Sequence, residues 1–174
     1  MPLTITPGAS DTDSYVDVDA FKTYCERIGY DVTGKADTDL EQALRRGTRG
    51  LDGIYGQRFI GSPTSADQAL EWPRTGAAWR GSDIPGDIVP QKVKDAACEA
   101  AWRELTVPGS LSPDQERGGR IKRKREKVEG AIDEETEWMD GAPAETTFSA
   151  IEGLLSGLIT RKAGGTTFGF VARA

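Results

Sequence analysis

The stretch Pro90-Gln91-Lys92-Val93-Lys94-Asp95-Ala96-Ala97-Cys98-Glu99-Ala100-Ala101-Trp102-Arg103-Glu104-Leu105 decides the fold. Val93, Ala96, Ala97, Ala100, Ala101 and Leu105 recur at helical spacing and form a narrow face of small side chains. A second helix can pack close against such a face. Pro90 suits the first helical position, where its missing N–H costs nothing. Thr106-Val107-Pro108-Gly109 supplies the stop.

Upstream, two more helices are expected. One runs over 14–29, with Val18, Phe21, Cys25 and Ile28 on one face, Tyr24 beside them and Gly29 as the stop. The other runs from Thr38 to about Tyr55. Thr38-Asp39-Leu40-Glu41 reads as a capping box that opens it. Its stripe is Leu40, Ala43, Leu44, Leu51, Ile54 and Tyr55. Gly47, Gly50 and Gly53 fall inside that stripe, where each costs about 1 kcal/mol against Ala. Two readings stay open: a close helix–helix approach, or a shorter helix. A last amphipathic helix is expected over 147–159, with Phe148, Ile151, Leu154, Leu155, Leu158 and Ile159 on its apolar face.

Between these helices lie two other kinds of segment. Residues 56–90 carry Pro63, Pro73, Pro85 and Pro90, so irregular structure is expected, pinned by Phe59, Leu70, Trp72 and Trp79. Trp72, Pro73, Arg74 and Trp79 are the candidate loop anchors; the rival reading makes the two tryptophans base-stacking platforms. From Arg120 to Trp138 a basic run, Lys122, Arg123, Lys124, Arg125 and Lys127, faces an acidic one, Asp133-Glu134-Glu135, across Glu129-Gly130. That pattern fits a β-hairpin with opposite charges paired, or a solvated charged loop. The hairpin's basic strand would contact an acidic partner, its own acidic return strand, or nucleic acid. Residues 161–174 follow as an extended tail, hinged at Gly164-Gly165 and carrying the β-prone Thr166-Thr167-Phe168-Gly169-Phe170-Val171. A disordered terminus is the alternative. The expected architecture is therefore mainly α. It is a small bundle of about four helices over 1–160, with a long irregular middle loop, a candidate β-hairpin and an extended C-terminal tail.

Composition removes several classes of chemistry. The chain has no histidine, so no Ser-His-Asp triad, Cys-His pair or HExxH site can form. The acidic clusters lack the central glycine and closing glutamate of a calcium loop, and Gly118-Gly119-Arg120 lacks the phosphate-loop spacing. Cys25 and Cys98 sit among apolar neighbours and read as buried free thiols. A net charge of −6 argues against a protein that grips nucleic acid along its whole surface; it does not exclude one that lets DNA slide past, since an acidic wall repels phosphates. No secretion signal and no membrane-length apolar run is read, and no metal or cofactor is expected.

Five stretches together carry a family resemblance. They are Asp13-Ser14-Tyr15-Val16-Asp17-Val18; Ala43-Leu44-Arg45-Arg46-Gly47-Thr48; Leu70-Glu71-Trp72-Pro73-Arg74-Thr75-Gly76; Ile84-Pro85 through Ile88-Val89-Pro90 into Val93-Lys94-Asp95-Ala96; and Lys124-Arg125-Glu126-Lys127-Val128. In this order the chain resembles the head–tail adaptor (connector) family of long-tailed phages and phage-like particles. Members of that family are often labelled DnaT-like single-stranded-DNA-binding proteins. The resemblance implies a non-enzymatic virion protein, assembled in the host cytoplasm into a twelvefold homo-oligomeric ring at the particle's neck. The ring would sit beneath the portal protein, extend the DNA channel and dock the next stopper or tail connector. Arg161, Lys162, Thr166, Thr167, Phe168, Phe170 and Val171 would then bind the portal or a neighbouring subunit. The family label supplies the alternative, a single-stranded-DNA-binding protein using Arg120 to Lys127 with Trp72 and Trp79.

Overall fold

The computed structural model describes residues 2–112, 121–125, 135–138 and 147–160, the two middle stretches by their backbone. Two compact units divide the chain. One comprises Met1–Leu111 with Ser149–Ala174, and the other Ser112–Phe148. The chain is mainly α, with four α-helices among the described residues.

In the first unit, α1 spans Val18–Ile28. It starts later than residue 14 because Asp17, in extended conformation, caps it and accepts a 2.7 Å bond from the Ala20 N–H. Ser14, Tyr15 and Val16 are instead buried in a non-helical arm that bends at Tyr15 and Val16. Gly29 ends the helix at φ 89°, and the N–H groups of Gly29 and Tyr30 both bond the Cys25 carbonyl.

Helix α2 spans Asp37–Tyr55, and its N-cap is Ala36, which has no side chain to bond the first turn. The capping box is therefore not formed, and Thr38 lies inside the helix. Asp37 and Asp39 complement the helix dipole instead, and Asp37 pairs with Lys22 at 2.6 Å.

Helix α3 spans Gln91–Thr106, with Pro90 as its cap. Val93, Ala96, Ala97, Ala100 and Ala101 are fully buried, as the small-residue face predicts. Gly47 of α2 explains why those residues are small. A Cβ at Gly47 would lie 2.5 Å from the Ala101 nitrogen, so the two backbones touch at their crossing. A Cβ at Gly50 would meet Leu111 at 2.8 Å, whereas at Gly53 it would meet nothing. A close helix–helix approach is thus the correct reading for Gly47, while Gly50 makes room for the Leu111 side chain beyond α3, and α2 is not shortened. Phe21, Cys25, Leu40, Leu44, Cys98 and Ala101 join in one core that ties α1 to this pair.

Helix α4, Ser149–Leu155, is much shorter than 147–159. Gly157 at φ 86° turns the chain, and Ile159 then bridges Phe59 in antiparallel fashion. The Thr160 N–H donates to the Arg58 carbonyl at 2.7 Å. This backbone pairing wins over a further helical turn, while Leu155 and Leu158 stay buried.

The segment between α2 and α3 is less irregular than its prolines suggest. A 3₁₀ turn, Gly56–Arg58, leads into β1 (Ser62–Pro63), which pairs antiparallel with β2 (Arg74–Thr75). Next, β3 (Ala78–Trp79) pairs with β4 (Ser82–Asp83) around Arg80 and Gly81. Both turn residues have positive φ, 52° and 79°, as a tight two-residue hairpin requires.

The second unit contains β5 (Ile121–Arg125) antiparallel to β6 (Glu135–Trp138). Arg123 registers with Glu137 and Arg125 with Glu135, so the backbone pairing of a hairpin is present. Among the described residues no helix is long and apolar enough to cross a membrane.

Candidate functional site

Tyr15, Asp52, Glu71, Trp72 and Arg74 converge from three parts of the chain. The arm brings Tyr15, the last turns of α2 bring Asp52, and the middle segment brings the other three. The Tyr15 hydroxyl donates to both Asp52 carboxylate oxygens, at 2.7 and 2.8 Å. The Glu71 N–H donates to Asp52 Oδ2 at 3.0 Å, and the Trp72 N–H donates to the Tyr15 oxygen at 3.1 Å. One carboxylate therefore latches the arm and the middle segment onto α2. A second polar contact of the same kind joins Ser14 and Thr48 through their hydroxyls at 3.2 Å.

The Trp72–Pro73 peptide is cis, and Trp72 is 1% exposed with its ring edge-on to Phe59 at 5.8 Å. Beside it the Arg74 guanidinium is buried. It donates to the main-chain carbonyls of Ile60, Gly61 and Glu71 at 3.0 to 3.2 Å, and to the Glu71 carboxylate at 2.6 Å. A planar fork of donors suits three carbonyls and a carboxylate held at fixed angles. Gln68 adds bonds to the Leu70 and Pro73 carbonyls.

The electrostatics follow from burial. Desolvation pushes the Asp52 carboxyl up to about 6, against the pull of the Glu71 N–H and the Tyr15 hydroxyl. Burial, and then the Asp52 charge, hold Tyr15 well above its ordinary value. The Cys25 thiol is pushed up to about 11 and Cys98 higher still, both chiefly by burial, so neither is a nucleophile near neutral pH. Both are free and buried, as expected. Among the described residues no group of three metal-ligating side chains comes together.

Two further clusters reach the surface. Trp79 is half-buried, with Arg80 4.4 Å and Lys92 4.7 Å from its ring centroid. Tyr30 stacks on Trp102 at 4.5 Å and 7°, and its hydroxyl donates to the buried Glu99 carboxylate at 3.1 Å.

Of the residues singled out in the sequence, Trp72, Pro73 and Arg74 come together, while Trp79 packs elsewhere, against Gly157. Lys122, Arg123, Lys124 and Arg125 lie on the backbone of β5. Lys127 lies outside the described residues, as do Arg161, Lys162, Thr166, Thr167, Phe168, Phe170 and Val171. The sequence reading missed Tyr15, Asp52 and Glu99. Thr48 and Asp52, four residues apart on α2, were the available signal: two polar groups on one flank of an otherwise apolar face.

What these features define is a small helical protein in which Tyr15, Asp52 and the Trp72-Pro73-Arg74 stretch lock its own backbone. The chain belongs to the family described as "Putative DnaT-like ssDNA binding protein", whose model matches residues 1–174. No curated protein and no solved structure matches it.

Proposed function

We propose that the protein is a head–tail adaptor, a ring subunit beneath a portal that continues the DNA channel and offers a platform to the next connector. One observation carries the reading: the most specific motif, Trp72-Pro73-Arg74-Thr75-Gly76, is spent on shape. Trp72 is buried, and the four Arg74 hydrogen bonds all fall within the segment they brace. A motif used this way fixes a rigid surface for protein contacts and leaves no aromatic face for a base. The net charge of −6 agrees, because an acidic conduit repels phosphates and does not hold them. In this reading the homo-oligomer is twelvefold, the portal and a stopper or tail connector are its partners, and the virion neck is its location. Mixing the purified chain with its portal and counting subunits by electron microscopy and native mass spectrometry tests it. A closed ring on the portal is expected; a chain that neither self-associates nor binds the portal ends it.

The family description favours a second reading, single-stranded DNA binding. The half-buried Trp79 with its two cations, and the basic β5, are the residues it would use. Trp72 is withdrawn from it by burial. Labelled oligonucleotide titrated at low salt distinguishes the two: tight binding that falls steeply with salt supports this reading, and no binding removes it.

A further inference from the structure

An apolar groove of about 310 Å³ lies between the β3–β4 hairpin and the start of α3. Trp79, Ile84, Pro85, Pro90 and Leu158 form its walls, with Lys92 at one side. Lys92 is held there by the Ser156 carbonyl at 3.0 Å. Trp79 is itself seated on Gly157, so closely that a Cβ there would lie 2.8 Å from the indole nitrogen.

We propose that this groove is the docking site of the chain's own segment Thr166-Thr167-Phe168-Gly169-Phe170-Val171. Two observations select that occupant. First, the chain leaves the described helical unit at Thr160, two residues past Leu158, which is itself a wall of the groove. Phe168 follows at a contour length of about 26 Å, ample to return. Second, the chemistry matches. The segment offers two phenyl rings and a valine, and Gly169 between the rings allows them to enter one shallow apolar site. Tethering at such a short distance gives an effective concentration on the order of 1 mM. A weak contact, with a Kd near 0.1 mM for the free segment, would then be about 90% satisfied within one chain. This contact does not rest on the ring reading; where the resemblance sends Phe168, Phe170 and Val171 to the portal or a neighbouring subunit, it returns them to their own chain.

The test uses three full-length chains and a labelled peptide of residues 163–174. The first is unaltered, the second carries Phe168→Asp with Phe170→Asp, and the third adds Ile84→Asp to those changes. The tail variant should bind the peptide about tenfold more tightly than the unaltered chain, and adding Ile84→Asp should abolish binding. Val107→Asp, at a residue 61% exposed and outside the groove, serves as the control and should leave the tail variant's binding unchanged. Circular dichroism checks that each chain is folded. Equal peptide affinity in the unaltered and tail-variant chains overturns the proposal, as does binding that survives Ile84→Asp. Tail-dependent dimers seen by light scattering would place the segment on a second copy and overturn it too.

Discussion

Replacing Asp52 by asparagine tests whether the latch is what the geometry says. Burial holds the Asp52 carboxyl near 6 in the folded chain, against about 3.9 in an unfolded one. A folded value above the unfolded one means that the native state takes up the proton first. The stability Asp52 contributes is therefore fully present below pH 4 and lost as pH rises through 6. Between pH 7.5 and 4.5 the linkage amounts to about 2 kcal/mol. The side-chain amide of the Asp52→Asn variant cannot titrate. Its amide oxygen can still accept from the Tyr15 hydroxyl and the Glu71 N–H, but the NH2 that replaces the other oxygen cannot accept. The other carboxylates titrate in both proteins and cancel in the difference. Urea unfolding followed by tryptophan fluorescence, at half-unit steps of pH, gives that difference directly. The advantage of the unaltered protein over Asp52→Asn should widen by about 2 kcal/mol on going from pH 7.5 to 4.5. Parallel stability curves would refute the assignment, and a gap that narrows towards acid would reverse its sign.

Four further outcomes are expected. Gly47→Ala should destabilise by about 1–3 kcal/mol because the new methyl meets the Ala101 backbone. Gly53→Ala, with open space around it, should instead stabilise by up to about 1 kcal/mol in the same urea assay. Arg74→Lys should cost about 3 kcal/mol and lower the Tm, since one ammonium cannot reach the Ile60, Gly61 and Glu71 oxygens together. In a thiol-reagent assay Cys25 and Cys98 should stay unreactive in the folded protein and react fully in urea, because both thiols are buried and protonated.

The helices were legible where one residue type repeated on one face. The Val93 to Ala101 face announced both α3 and the tightness of its crossing, and Gly47 supplied the matching half. The ends were less legible because tertiary contacts decided them. Ser14 and Tyr15 look helical in isolation but are drawn out of α1 by Thr48 and Asp52, more than thirty residues away. The capping box at Thr38 lost to Asp37 and Asp39 in the first turn. The end of α4 was set by the Phe59 bridge, which no local pattern records. The latch was the hardest to read. Its members come from three distant stretches, and only the Trp72-Pro73-Arg74 part shows as a compact motif.

The helical unit is written in two instalments, Met1–Leu111 and Ser149–Ala174, with Ser112–Phe148 between them. On a ribosome the first three helices emerge without their last wall, so Ile151 and Leu155 can seal the interior only after the intervening stretch has been made. Such an interval is a natural place for length to vary. Doubling it would add only about 0.6 kcal/mol of closure entropy, so an epitope or reporter spliced there should leave the helices intact.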